Sequence, residues 1–434
     1  MTLKSFIWWC RDERDDGRGH RYQSRTYEYG RPAHVALTEL APNAVFYAEG
    51  RRVRITRVGL ASGRGEAWRL CPSCSHAELA DLAERRATCP SCDDPSWSDA
   101  AALQTMLRLS SVIAATNDRE SRIGDERDDR EPTLHEVRTY IEHAPEVREE
   151  TYVVDDEGFA FGFEFLNRAT FRQVNFGPRD PNASLRVDGK AIFARPFSAC
   201  AACGQVQPDG PGSARDPAHA RSCRHHDAPD GAPLVPLWLY RDLDSEALRI
   251  LMPSSATGET DWTSLIAAIE RGLVEYYRGD VGHLRATLKE SLEPGQTFRR
   301  RYLDLYDGVP GGTGYLKQLM QSADELKGLL ELARDVVRDC GCDDGCHACL
   351  FSYRLSWRLD RVSRRAALAL LDAILARWDK LRSSTEGLDQ LKNTALFESE
   401  LEALFVEALR RGRAADGTPF VVRKDILPNG KAGY

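Results

Sequence analysis

An α+β protein is predicted, with a β-rich N-terminal half and a mixed α/β C-terminal half, and three stretches carry that prediction. Arg52–Val58 (RVRITRV) alternates polar and apolar residues, the period of a half-buried strand, after the turn-like AEG at 48–50. Thr151–Phe176 is rich in aromatic and β-branched residues around a glycine turn, the pattern of a hairpin or meander. By contrast Leu316, Leu319, Met320, Ala323, Leu326, Leu330 and Val337 fall on one face of a single long helix.

The remaining elements follow in order. Leu103–Ala115 suits either a short helix or a strand, and it runs into a charge-dense stretch, NDRESRIGDERDDREP, that cannot bury itself and reads as a surface loop. Leu234–Tyr240 and Leu248–Met252 look like two buried strands, and Trp262–Tyr277 has helical apolar spacing. Ser363 is placed to N-cap a helix carrying Leu368, Leu370, Leu371 and Ile374, and a further helix is expected over Leu396–Leu409. The expected division is a β-rich region at 1–115, a charged loop at 116–131, a second β-rich region at 132–232, a mixed α/β domain at 233–382 and a helical start of another domain at 383–434.

Composition narrows the class. Hydrophobic residues make up 42% and charged residues 29% of the 434, a globular balance. The longest apolar runs fall far short of the ~20 residues a membrane helix needs. The opening MTLKSFIWWCRDERDD has neither an apolar stretch of useful length nor a small-residue cleavage site. A cytoplasmic location without a membrane partner is therefore expected. The formal charge of −7 excludes a uniformly basic coat, so any nucleic-acid contact must come from a local patch. A chain this long needs no disulfide staples, and eleven of its twelve cysteines fall in close clusters, which points to metal; Cys10 stands apart.

Cys71-Pro-Ser-Cys74 and Cys89-Pro-Ser-Cys92 are separated by fourteen residues, the spacing of a four-thiolate zinc ribbon. Each CxxC turn supplies two thiolates, with the intervening chain closing as a hairpin. Cys200 and Cys203 form a third pair with only Cys223 nearby. The fourth ligand there must be a histidine: His219, spaced H-x₃-C, is favoured over His225 or His226. Cys340, Cys342, Cys346 and Cys349 place four thiols within ten residues, with Gly341 and Gly345 allowing tight turns and His347 read as exposed or neighbouring the site. Three structural Zn²⁺ ions are thus expected, each with a full ligand set and no open position for a water. The fold class therefore gains zinc ribbons in its first half and a four-cysteine zinc knot between helices in its second.

YDGVPGGTGY (306–315), followed by a helix and then by CGCDDGCHACLFSYR, resembles the MrfA-like zinc-binding domain of mitomycin-repair helicases. The resemblance extends upstream through LYRDLDSEALRILMP, the CxxCG at 200–204 and the charge-dense loop, covering most of residues 30–375. It implies that the four cysteines at 340–349 hold zinc, and that the chain works beside a superfamily-2 helicase motor in DNA repair or anti-phage defence. Related domains also occur as separate subunits beside a helicase in defence systems such as DISARM. The family's motor motifs are missing from the 434 residues: there is no GxxxxGK[ST] and no DEAD-type box. Gly311, Gly312 and Gly314 offer amides at a helix start, but a sharp strand-to-helix turn packed against the zinc knot explains them better than a phosphate cradle.

Tyr353, Arg354, Trp357, Arg358 and Arg361, followed by Arg364 and Arg365, interleave cations with aromatic rings, the mixture that holds phosphates while stacking unpaired bases. Arg299, Arg300 and Arg301 form a weaker candidate. No residue is expected to be catalytic. The segment ESELEALFVEALRR resembles the opening of restriction-endonuclease-like folds, with Glu402 matching their first carboxylate, and the stop at Tyr434 reads as a truncated product. Two functions remain open: a zinc-binding module that brings DNA binding to a helicase motor elsewhere, and an interaction subunit that docks a partner helicase with little DNA affinity of its own. A nuclease front end is a third, weaker reading.

Overall fold

The computed structural model describes residues 2–14, 20–48, 51–59, 65–83, 86–117, 134–156, 159–207, 219, 223–226, 234–253, 258–279, 281–292, 299–352, 359–389, 425–426 and 432–433. Most of the charged loop at 116–131, the segment Tyr353–Arg358, and the expected helix at 396–409 with Glu402 lie outside them.

In chain order the elements are β1 (Thr2–Arg14), β2 (His20–Pro32), α1 (Ala33–Glu39), β3 (Val45–Ala48), β4 (Arg51–Val58), β5 (Glu66–Leu70) and β6 (Ala77–Leu79). The helical turn α2 (Ala80–Ala83) precedes β7 (Leu103–Arg108), β8 (Ser111–Asn117) and β9 (His135–Glu142). Next come β10 (Arg148–Val154), β11 (Gly162–Pro178), β12 (Leu185–Val187), β13 (Lys190–Ile192), β14 (Phe197–Cys200) and β15 (Leu234–Leu251). The last third holds α3 (Glu259–Tyr277), β16 (Leu284–Leu292), β17 (Arg299–Asp307), α4 (Tyr315–Leu319), α5 (Ala323–Arg338), α6 (Arg364–Leu375) and β18 (Leu381–Ser384). The mixed α/β class is as expected, and Leu103–Ala115 resolves into strands β7 and β8.

The chain divides into two compact units whose boundaries fall inside the long strands β11 and β15. The first comprises Met1–Glu142, Phe171–Asp242 and Leu292–Thr297. One of its sheets runs β2-β1-β8-β4-β3, with β1 and β8 parallel. Alternation along β4 sends Val53 and Ile55 inward against Leu37 of α1 and Leu40 just after it. Its second sheet joins the last half of β11, the first half of β15, β7, β5 and β6 around an aromatic cluster of Trp68, Tyr140, Phe176, Trp238 and Tyr240. Arg172 lies over the Trp68 ring between Glu142 and Asp242, and Arg241 donates to Gln173 at 2.7 Å.

The second unit comprises His143–Thr170, Leu243–Ser291 and Phe298–Tyr434. Its sheet runs β18-β10-β11-β15-β17-β16. The period-2 run FAFGFEF places Phe161, Phe163 and Phe165 on one face, where they join Leu248 and Ile250 of β15, Leu303 and Leu305 of β17, and the packed helices α3, α5 and α6. Helix α3 starts where the Gly258 amide donates to Asp261, and α6 starts where the Ser363 hydroxyl accepts the Ala366 amide, the cap expected from sequence. Gly272 lets α3 and α5 approach so closely that a Cβ there would sit 2.8 Å from the Ala333 methyl.

Two expectations are corrected. Leu234–Tyr240 and Leu248–Met252 belong to one continuous strand. The polar residues between them, which suggested a break, are answered by neighbouring side chains: Asp242 by Arg172, and Asp244 by Arg168 and Thr170. The single long helix is instead α4 and α5, because Ser322 is fully extended (φ −155°, ψ 157°) and restarts the helix. The apolar face survives the break, since Leu316, Leu319, Leu326, Leu330 and Val337 are all buried.

On the other face of the same strands the second unit buries charge. Arg249 is 3% exposed and sits between Asp304 at 2.9 Å and Glu164 at 3.5 Å, both fully buried. Its guanidinium also donates to His143, which burial and the adjacent cation hold neutral, down to about 2. Arg249→Met strands two buried carboxylates and is expected to lower stability by about 3–5 kcal/mol in denaturant unfolding. The depressed His143 pKa contributes stability above its unfolded value of about 6.5, and that stability is lost as pH falls below it. His143→Gln is therefore expected to flatten the loss between pH 6.5 and 5 by about 1 kcal/mol per pH unit, read by unfolding of both proteins across that range.

Candidate metal centres

Three tetrads of donor atoms form among the described residues, each with its atoms within 4.8 Å of one another: Cys71, Cys74, Cys89 and Cys92; Cys200, Cys203, His219 and Cys223; and Cys340, Cys342, Cys346 and Cys349.

The CxxC knuckles are built alike. The amide of the first cysteine donates to the carbonyl five residues on: Cys71 to His76 at 3.0 Å, Cys89 to Asp94 at 3.0 Å, and Cys200 to Gln205 at 2.8 Å. The loop this closes directs following amides at sulfur: Ser73 to Cys71, His76 to Cys74 and Ala202 to Cys200, at 3.4–3.5 Å. Such N–H···S bonds favour the thiolate, the form that binds metal. The bend returns through left-handed backbone at Asp93 (φ 59°) and Gly204 (φ 71°). The first knuckle sits at the tip of the β5–β6 hairpin, so that hairpin encloses Cys71 and Cys74 and does not span the gap between the two knuckles as expected. Trp97, fully buried, packs against the four sulfurs.

In the second tetrad His219 Nδ1 lies 3.3 Å from Cys203 Sγ and 3.6 Å from Cys223 Sγ. His226 is turned away to the His219 carbonyl, 2.9 Å from its Nδ1, and the His225 ring stands 6.4 Å from that of His219.

The third tetrad lies between α5 and α6. Its sulfurs approach at 3.5 Å (Cys340 to Cys346), 3.7 Å (Cys342 to Cys349) and 3.8 Å (Cys346 to Cys349). Burial pushes the Cys349 thiol up to about 12, whereas Cys346, facing the Ala348 amide, falls to about 7. Gly345 (φ 143°) is required, because a Cβ there would meet the Phe351 ring at 2.7 Å. Gly341 has open space around it, so only one of the two expected glycines is sterically demanded. His347 is exposed, its ring against Phe351. Asp344 fastens the loop to α6: its carboxylate accepts the Ser363 hydroxyl and the Arg365 amide, each at 3.0 Å. Arg364 reaches back to the Val337 and Arg338 carbonyls at the end of α5. Asp344 escaped the sequence reading, because it lies nineteen residues before the helix it caps, and Arg364, read there as part of a basic-aromatic DNA contact, instead ties α6 to α5.

Tetrahedral zinc with Zn–S bonds of about 2.3 Å places its sulfurs about 3.8 Å apart, and an imidazole nitrogen slightly closer. The observed separations fit that geometry, and soft thiolate sets of this kind select Zn²⁺. Four protein ligands leave no position for a reacting water, so each ion acts as a staple.

The glycine loop at 308–314 is held by carboxylates on β15 and β17. Asp307 accepts the Val309 and Thr313 amides at 2.8 and 2.7 Å, and Glu246 accepts the Gly314 amide at 2.9 Å. With the Gly311 and Gly312 amides donated to the Asp244 and Val309 carbonyls, the amides a phosphate would need are taken internally. Of the basic-aromatic segment, Tyr353, Arg354, Trp357 and Arg358 lie outside the described residues; Arg361 is half exposed with Asp360 3.8 Å away. Arg364 is committed to α5. Arg300 and Arg301 are held internally by the Leu388 carbonyl and Glu290.

These features define an α/β protein stapled by Cys/His zinc sites. Residues 265–350, from α3 through the last cysteine of the knot, match the family model of the MrfA Zn-binding domain. No curated protein matches the chain. Among solved structures, the chain is similar to the DUF1998 helicase MrfA bound to DNA, at 11% identity over 86% of this chain and 34% of that one, with a TM-score of 0.37. The same helicase bound to DNA and AMPPNP gives 12% identity over 84% and 30%, with a TM-score of 0.31. The chain thus spans about a third of the length of those structures. No helix of the described residues is long and apolar enough to cross a membrane.

The fully loaded protein is expected to carry three zinc ions. Cys349→Ser should lose about one equivalent by elemental analysis and loosen α5 and α6, while Cys71→Ser should lose one and leave those helices folded.

Proposed function

We propose that this chain is the zinc-stapled accessory module of a superfamily-2 DNA helicase of repair or anti-phage defence, contributing DNA binding and coupling to a motor outside its 434 residues. The observation that carries this reading is the family match, which begins in α3 and ends at the four-cysteine knot. The knot fixes the end of α5 to the start of α6, and Tyr353–Arg361 leaves directly from it. A zinc site at this point can set where a polar, cation-rich segment begins. Arginines there would meet phosphates while Tyr353 and Trp357 stack on unpaired bases. A cytoplasmic location accompanies this role.

The net charge of −7 favours a second reading, an interaction subunit that docks a helicase and has little DNA affinity alone.

Binding of the zinc-loaded chain to single-stranded, double-stranded and forked DNA across a salt series separates the two. The DNA module predicts salt-sensitive binding, with the slope of log K against log salt reduced by about 1–2 in the double variant Arg358→Ala/Arg361→Ala. Absence of binding at low salt by a fully loaded protein would assign the chain to docking.

A further inference from the structure

The face of the second unit's sheet opposite the helices holds a feature that neither zinc nor DNA binding uses. By strand alternation it presents Val153, Gly162, Glu164, Leu251, Tyr302 and Arg300. Seated on it is the segment after β18. The Leu388 side chain is fully buried against Ala160, Leu251 and Tyr302, and its methyl approaches within 2.8 Å of where a Cβ on Gly162 would stand. The main chain on either side of that side chain is read directly. The Leu388 amide donates to Glu164 Oε2 at 3.0 Å, and the Leu388 carbonyl accepts from Arg300 Nη1 at 2.8 Å. Asp389 faces Arg148 at 3.5 Å. A Cβ on Gly387 would stand where the Arg148 guanidinium lies, so a larger residue there would have to displace that side chain.

One apolar hole, an acceptor for the amide, a donor for the carbonyl and a cation for the next side chain make up the chemistry of a peptide-recognition site. As mere anchorage it is expensive. Glu164 is fully buried, its second oxygen facing only the Arg249 guanidinium at 3.5 Å, and Arg148 Nε is buried without a hydrogen-bond partner, where an apolar contact would anchor a loop without desolvating charge. Ahead of the buried Gly387 and Leu388, Thr385 and Glu386 are exposed. Segments of that kind open locally without global unfolding.

We propose that Glu386–Asp389 is a peptide ligand carried in cis, a releasable latch in a socket that takes, in exchange, a short extended peptide of glycine, an apolar residue and an acidic residue. While seated, the latch fills the socket; once displaced, it exposes it.

Two measurements on the full-length, zinc-loaded protein test this. In the unmodified chain, hydrogen exchange over 386–389 is expected to be at least tenfold faster than over Tyr302–Tyr306 of β17, reporting local release; exchange of both segments together, only through global unfolding, would overturn the proposal. In Leu388→Asp the socket is empty, so a labelled peptide of the sequence Ser384–Gln390 should bind at least tenfold more tightly than to the unmodified chain, and Glu164→Ala in that background should abolish binding. A folded Leu388→Asp protein that ignores the peptide would also sink it, and if that variant does not fold the exchange measurement decides alone.

Discussion

Four thiolates converging on one divalent ion is the constraint on which the C-terminal helices depend. The chain from Cys340 to Cys349 contains little that could pack: two glycines, two aspartates, a histidine and an alanine among the sulfurs. Without the ion, buried thiols such as Cys349 keep their protons. With it, binding on the order of 10 kcal/mol becomes folding free energy, comparable with the whole stability of a typical domain. Asp344 and Arg364 then carry the constraint outward, one to the start of α6 and the other to the end of α5. The helices so fixed cover the phenylalanine stripe of β11, and the core of the second unit forms between them.

The two faces of that sheet obey different chemistry. Phe161, Phe163 and Phe165 meet helices through dispersion and excluded water, and Trp378 stacks on Phe163 at 5.8 Å. One residue out of phase, Gly162 and Glu164 meet main chain and charge. Because side chains alternate strictly along a strand, the run FAFGFEF builds an apolar wall and a recognition wall from seven residues. The neutral His143, Arg249 and Asp304 hold Glu164 in place by mutual compensation, which no apolar substitution at a single one of them can preserve.

Much of this was legible in the residues, for reasons that differ from place to place. Cysteine spacing is a local code: two thiols three apart share one turn, so which sulfurs meet could be read without knowing the fold. Ser363 and the glycine loop were readable for the same reason, as caps and left-handed turns are decided within a few residues. The continuity of β15 was not, because a run such as RDLDSE looks like a surface turn until its partners on β11, about seventy residues away in sequence, are known. The break between α4 and α5 was hidden by an apolar face that stays in phase across Ser322. The charge centre at Arg249 left no periodic trace at all, being assembled from single residues on separate strands. Helical and basic-aromatic stretches outside the described residues stand as sequence readings only.

The turn between β12 and β13 gives the first zinc site a reach beyond its ligands. Asp188 and Gly189, both in left-handed backbone, donate their amides to the carbonyls of Cys71 and Pro72 at 3.1 and 2.7 Å. Those carbonyls are aimed by the knuckle, whose shape is set once sulfur has closed on metal. A strand pair more than a hundred residues downstream therefore has its landing place prepared by an event at the ribbon. During synthesis the ribbon emerges first, so metal capture can precede the arrival of the piece that reads it. A cell short of zinc would then assemble this region out of sequence, leaving the hairpin to search for a surface not yet made.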